Sequence, residues 1–174
     1  MRTTKTKSSN KISFPNEVLF QKASNLAKTL KDLHLTVATV ESLTGGLISA
    51  ALTSVPGSSL YFLAGLTVYS DEAKSNILGV PKNILNSYGA VSSKCSVSMA
   101  ENVCRLVKSD LGLSTTGIAG PDGATPQKPL GLVFISATNS QRTYTSEYHF
   151  SGSRHEIVMA STLAALDFLT DFLS

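Results

Sequence analysis

A chain of 174 residues, with 42% hydrophobic and 16% charged side chains, is long enough for one well-buried core and suits a single globular domain. No apolar run approaches the roughly 18 to 20 residues of a membrane span, which excludes a helical membrane protein. The formal charge of +3 gathers in residues 1–11, where Arg2, Lys5, Lys7 and Lys11 occur without an acid; the rest is near neutral. A basic stripe for nucleic acid is therefore absent.

Residues 1–13 read as a disordered basic arm without the apolar core of a secretory signal, and residues 14–174 as one domain. Helical spacing follows from Pro15 to Leu33, through Val18, Leu19, Leu26 and Leu30. The β-branched run Leu35–Val40 predicts a buried strand. Glu41-Ser-Leu-Thr-Gly-Gly46 then turns the chain into a small-residue helix, Leu47–Ser54. After the turn Pro56–Ser59, a strand is predicted over Tyr61–Tyr69. Ser70 followed by Asp71 and Glu72 marks a helix start that runs to Gly79.

A short helix is predicted over Lys82–Ser87 and a longer one over Ser93–Asp110, where Val97, Ala100, Val103 and Val107 share a face. A strand over Leu113–Ile118 leads into the Gly- and Pro-rich stretch Gly120–Pro129, an ordered loop or lid. Gly131–Thr138 and Thr143–Phe150 have hairpin spacing. Ser153 and Glu156 form a capping box before the apolar helix Ile157–Leu173. Strands alternating with helices, then a hairpin and a covering helix, predict a three-layer α/β domain with a mixed central sheet and helices on both faces.

Cys95 and Cys104 stand nine apart without CxxC spacing, and His34, His149 and His155 do not join them. Neither a metal site nor a disulfide framework is readable. Two cysteines without a signal peptide fit a reducing cytoplasm, with the thiols as helix packing.

Chemistry concentrates at three strand ends: Glu41–Gly46, Tyr69–Lys74 and Thr115–Gly123. In open α/β sheets ligands bind beyond the strand carboxyl ends, so these segments can converge on one site. Ser42 stands where a strand enters a helix that begins at Thr44, Gly45 and Gly46, whose N–H groups could hold an oxyanion. Two readings are open for Ser42, a nucleophile or a helix cap. Two are also open for Lys74, a solvated charge or a buried base whose pKa is lowered by burial and by the helix dipole. The Tyr69 hydroxyl could orient either group or relay a proton. Thr115–Gly123 is a glycine-rich turn that either donates N–H groups to a ligand or is purely structural. It carries no Walker pattern, and no GxGxxG follows any strand. Lys128 and Arg154 are the nearest cations for a phosphate.

Taken in order, eight segments resemble the C-terminal domain of the CinA family, whose stand-alone members include nicotinamide-nucleotide amidohydrolases of the PncC type. They are Glu41–Gly46, Pro56–Ser59, Val68–Lys74, Leu78–Val80, Gly89–Ser92, Met99–Ala100, Thr116–Pro121 and Lys128–Gly131. The resemblance runs from about residue 16 to the C-terminus. It implies a cofactor- and metal-independent serine amidohydrolase acting on nicotinamide mononucleotide in pyridine-nucleotide metabolism, in members that are often dimers. It makes Ser42 the nucleophile, Lys74 the base and Tyr69 the third member. Glu41, Thr44, Gly45, Gly46, Thr116, Gly117, Gly120 and Arg154 are then the substrate-binding set. The chain departs from the family pattern at Leu43 (usually Cys), Ala64 (usually Gly), Ser153 (usually Asp) and Met159 (usually Arg). A nucleotide-binding module without turnover, and a serine hydrolase of another amide or ester, are the two alternatives those departures raise.

Overall fold

The computed structural model describes residues 16–174; the basic arm expected over residues 1–13 lies outside the described residues. Helix α1, Glu17–Asp32, is capped by the Asn16 side chain, which accepts from Leu19 N at 2.9 Å. It buries Leu19, Ala23, Leu26, Ala27 and Leu30. Two alanines complete the stripe that leucine spacing outlines, while Val18 and Leu33 face outward.

Strand β1 is Val37–Glu41 and α2 is Leu47–Thr53. After a short 3₁₀ turn at Ser58–Leu60 come β2, Phe62–Thr67, and α3, Asp71–Asn76. Helices α4, Lys82–Tyr88, and α5, Ser93–Val107, precede β3, Leu111–Gly117. The hairpin β4, Leu132–Thr138, and β5, Thr143–His149, is followed by α6, Arg154–Leu173. The Ser153–Glu156 capping box is present at the start of α6.

Element boundaries differ from the sequence reading where backbone geometry intervenes. Helix α5 stops at Val107 because Lys108 adopts a left-handed conformation at φ +56°. The freed residues start β3 two positions early. There the Asp110 carboxylate accepts from Thr36 N at 2.8 Å and Thr36 Oγ1 at 2.6 Å, joining the starts of β1 and β3. Those two bonds hold its pKa below the ordinary carboxylate value. Helix α3 ends at Asn76, three residues short of Gly79, and β2 ends at Thr67, so Tyr69 lies in the loop beyond it.

The five strands order as β2-β1-β3-β4-β5, parallel across the first three and antiparallel across the last two pairings. The central strands β1 and β4 are buried along their whole length, whereas edge strand β2 alternates half-buried and exposed positions. One core cluster packs α1, α2 and α6 on one face, through Leu26, Ile48, Ile157 and Leu166. The other packs α3 to α5 on the opposite face, through Val68, Leu85, Met99 and Val103. The domain is a three-layer α/β sandwich around a mixed sheet.

The chain leaves β1 to β2 on one side through α2, then crosses to β3 on the other side through α3 to α5. That reversal around β1 is a topological switch point, and it opens the crevice at the carboxyl ends of β1, β2 and β3. Among the described residues no helix is long and apolar enough to cross a membrane.

Candidate active site

The backbone at the end of β1 stitches the three parallel strands together. Ser42 N donates to Thr115 O at 3.0 Å on the β3 side, and Val68 N donates to Glu41 O at 2.9 Å on the β2 side. Ser42 therefore leaves the sheet at a fixed place between the loops after β2 and β3. Ser42 is buried, with 7% of the residue's surface left exposed.

Lys74 reaches the same point from α3. Its side chain is 1% exposed, and its Nζ lies 3.2 Å from Ser42 Oγ, 3.0 Å from Val68 O and 3.2 Å from Tyr69 O. As an ammonium it donates to all three. As a neutral amine it has two N–H groups and one lone pair. The two carbonyls can only accept, so they take the N–H groups and leave the lone pair to the Ser42 hydroxyl. Burial lowers the Lys74 pKa, opposed by the charge fields of Cys95, Asp71 and Tyr69. Of the two causes the sequence offered, burial operates; α3 spans six residues, and Lys74 falls in its last turn rather than at its positive end.

The turn between β1 and α2 is built on Gly45 at φ +63° and Gly46 at φ +100°, conformations that side-chain-bearing residues rarely adopt. Gly46, the cap position of α2, has no side chain to offer. Glu41 supplies the cap instead. Its fully buried carboxylate accepts from Gly46 N at 3.0 Å and Ile48 N at 3.1 Å on one oxygen. The other oxygen accepts from Ser49 N at 2.9 Å and Ser49 Oγ at 2.6 Å. Gly45 N donates to Ser42 O at 3.2 Å. The N–H groups of Gly45 and Gly46, expected to face an oxyanion, are thus already engaged. Those of Leu43 and Thr44 have no hydrogen-bond partner among the described residues. The Leu43 side chain packs into the α1–α2–α6 core, so the residue at this position meets the crevice only through its backbone.

The other expected positions divide. Thr44 Oγ1 and Thr115 Oγ1 share a buried hydrogen bond of 2.8 Å that joins the turn to β3. Thr116 Oγ1 donates to Ala90 O at 2.8 Å, fastening the α4–α5 linker to the site. Gly117 is an interior requirement of the sheet, since a Cβ there would stand 2.6 Å from Leu132 O. The Tyr69 hydroxyl, on a side chain 60% exposed, accepts from Arg154 Nη2 at 2.8 Å; only the Tyr69 carbonyl touches Lys74. Arg154 Nη1 donates to Gly120 O at 2.6 Å, so one guanidinium links the loops after β2 and β3. Lys128 Nζ donates to Tyr88 O at 2.6 Å. Met159 is half-buried against the α1–α2–α6 core, its sulfur 3.9 Å from Asn16 Nδ2.

Sequence reasoning passed over Ser49. The signal for Ser49 was an acid ahead of a helix that has no side chain at its own cap. Thr115 opens the strand-end segment that the sequence points to, but its hydrogen bond to Thr44 is not legible there. A cleft of about 980 Å³ at the opposite end of the sheet, between the end of α5 and the β4–β5 hairpin, contains none of the site residues.

Known proteins resemble this chain in sequence and in fold. Residues 20–173 match the family described as the CinA C-terminal domain. A CinA-like protein of Dictyoglomus thermophilum is 49% identical over 80% of this chain and 34% of its own length. A CinA-like protein of Syntrophus aciditrophicus is 47% identical over 86% of this chain and 36% of its own. The chain spans about a third of the length of the curated relatives it matches. The crystal structure of the competence/damage inducible protein CihA from Agrobacterium tumefaciens superposes with a TM-score of 0.90 at 32% identity, covering 94% of this chain and all of that one. The chain belongs to the CinA family, through its C-terminal domain.

Proposed function

We propose that this domain hydrolyses the carboxamide of nicotinamide mononucleotide to nicotinate mononucleotide and ammonia, through an acyl-enzyme on Ser42. The carrying observation is the buried Lys74 amine, 3.2 Å from the Ser42 hydroxyl and supported by two carbonyls that cannot donate to it. Ser42 Oγ attacks the carboxamide carbon while its proton passes to the Lys74 lone pair. The carbonyl oxygen becomes an oxyanion, held by the unengaged N–H groups of Leu43 and Thr44; the first is the residue after the nucleophile, a recurrent oxyanion donor. Collapse breaks the C–N bond, and Lys74 returns the proton to the leaving nitrogen, which departs as ammonia. Water then attacks the ester, gives a proton to Lys74 and releases the nicotinate, with the proton returned to Ser42 Oγ.

The substrate rests on the family resemblance of the eight segments. Arg154 supports it: two of the five guanidinium donors are engaged, and among the described residues the other three have no partner, which leaves them for the phosphate. The same reading makes the enzyme cofactor-independent, cytoplasmic and homodimeric, and sedimentation at micromolar concentration tests the last point. Ammonia release from nicotinamide mononucleotide by the wild type, abolished in Ser42→Ala, is the result expected. Release that survives Ser42→Ala refutes the nucleophile; no release by the wild type, with an ester still acylating Ser42, refutes the substrate.

A further inference from the structure

We propose that Glu41 is a positioning residue, whose buried carboxylate holds the nucleophile turn in reacting geometry and contacts no substrate. The inference rests on the acyl-enzyme reading above and deepens it. The two ends of the turn are clamped by one side chain. Its backbone is fixed in β1, paired with Thr67 and Thr115, and its carboxylate reaches across residues 42–45 to the first turn of α2.

Gly45 and Gly46 provide the positive φ angles the turn needs, and with them the widest backbone freedom of any residue. An ordinary Ser or Asp cap at position 46 would satisfy α2, but the φ of +100° there favours glycine. Capping from Glu41 satisfies the helix and ties it to the strand at once. Burying a carboxylate is unfavourable unless it is well bonded. Here four donors meet its two oxygens, which leaves no acceptor site turned toward a ligand. With Gly46 N–H drawn to Glu41, the Leu43 and Thr44 N–H groups are the ones left to the crevice.

The test compares Glu41→Gln and Ser49→Ala with the wild type. A Gln amide loses the bonds from Gly46 N and Ile48 N if its NH₂ faces them, or the bond from Ser49 N if its NH₂ faces Ser49, whose hydroxyl then accepts. Ammonia release from nicotinamide mononucleotide is measured per titrated active site, alongside the rate at which a fluorophosphonate labels Ser42. Circular dichroism at the assay temperature confirms the fold. Glu41→Gln should lower kcat and the labelling rate by roughly 30-fold or more with KM within about threefold, as misplaced oxyanion donors would. Ser49→Ala, which removes one donor, should lower both by about three- to tenfold on the same logic.

Unchanged kcat per active site in Glu41→Gln overturns the proposal, as does a loss carried by KM, which would make Glu41 a substrate ligand. If Glu41→Gln does not fold, Ser49→Ala decides, and wild-type rates there overturn it. A wild type that labels but releases no ammonia refutes the substrate alone, and the labelling rates then judge Glu41. A wild-type Ser42 inert to the probe overturns both readings.

Discussion

Replacing Lys74 by Met keeps the unbranched shape of a fully buried side chain and removes its only basic atom. Three contacts vanish with Nζ, those to Ser42 Oγ, Val68 O and Tyr69 O. At roughly 1 kcal/mol each these would cost about 3 kcal/mol, partly offset because an amine no longer has to be held in the interior. The variant should therefore fold, and its melting temperature checks this. Catalysis should fall by about 10² to 10⁴, the usual contribution of a positioned base.

The pH profile carries the sharper figure. A lysine at its ordinary 10.5 is neutral in only about one molecule in a thousand at about pH 7.5. Each unit by which burial lowers that pKa raises the neutral fraction tenfold. The wild-type kcat/KM should rise about tenfold per pH unit and level off below 10.5, and Lys74→Met should lose that rise. Stability follows the same group. Between the lowered folded pKa and 10.5 the unfolded chain binds more protons, so wild-type stability rises with pH through that window, and Lys74→Met lacks the rise. Ammonia release and thermal melts across pH measure both. A variant keeping more than about a tenth of wild-type kcat, or an identical pH profile, would refute Lys74 as the base.

Tyr69→Phe removes a hydroxyl bonded to Arg154 rather than to the dyad, and keeps the carbonyl on Lys74. Its kcat should stay within about threefold, and a hundredfold fall would restore the hydroxyl as a proton relay. Gly131 has φ +81°, and a Cβ there would lie 1.7 Å from Phe150 O. Gly131→Ala should cost about 3 kcal/mol or more, or prevent folding, as read by urea denaturation. The Cys95 thiol, pushed up to about 11 by burial, should resist a disulfide reagent at neutral pH in the native state and react at once in urea; rapid native labelling would contradict its buried place.

The elements were legible because their periodicities are local. Leu35–Val40 reads as a buried strand from its β-branched run, and the Ser153–Glu156 box announces α6 from residues three apart. Strand order was not legible in that way. Which side of β1 receives β3 depends on how α2 and α5 divide between the two faces, and no short segment encodes it. The site shows the same boundary. Ser42 and Lys74 stand 32 positions apart and each has a bland reading alone; the family resemblance joined them before the fold did. The Tyr69 hydroxyl is legible from its place at a strand end, and Glu41 only as a substrate ligand that the resemblance implies. Their partners come from Arg154, 85 positions on, and from the helix beyond two glycines, and only packing brings those into reach.

The lysine is braced by main-chain oxygens at positions 68 and 69, and that has a bearing on how such a domain diverges. Side-chain substitution at either position leaves a peptide oxygen where it was, so drift in the wall of the crevice does not by itself unseat the lysine. The path of the chain after β2 is inherited with the fold, whereas exposed side chains beside the site, such as Tyr69 and Arg154, are free to change. On the proposed mechanism reactivity and selectivity are separable characters, and a lineage can retarget the serine without rebuilding it.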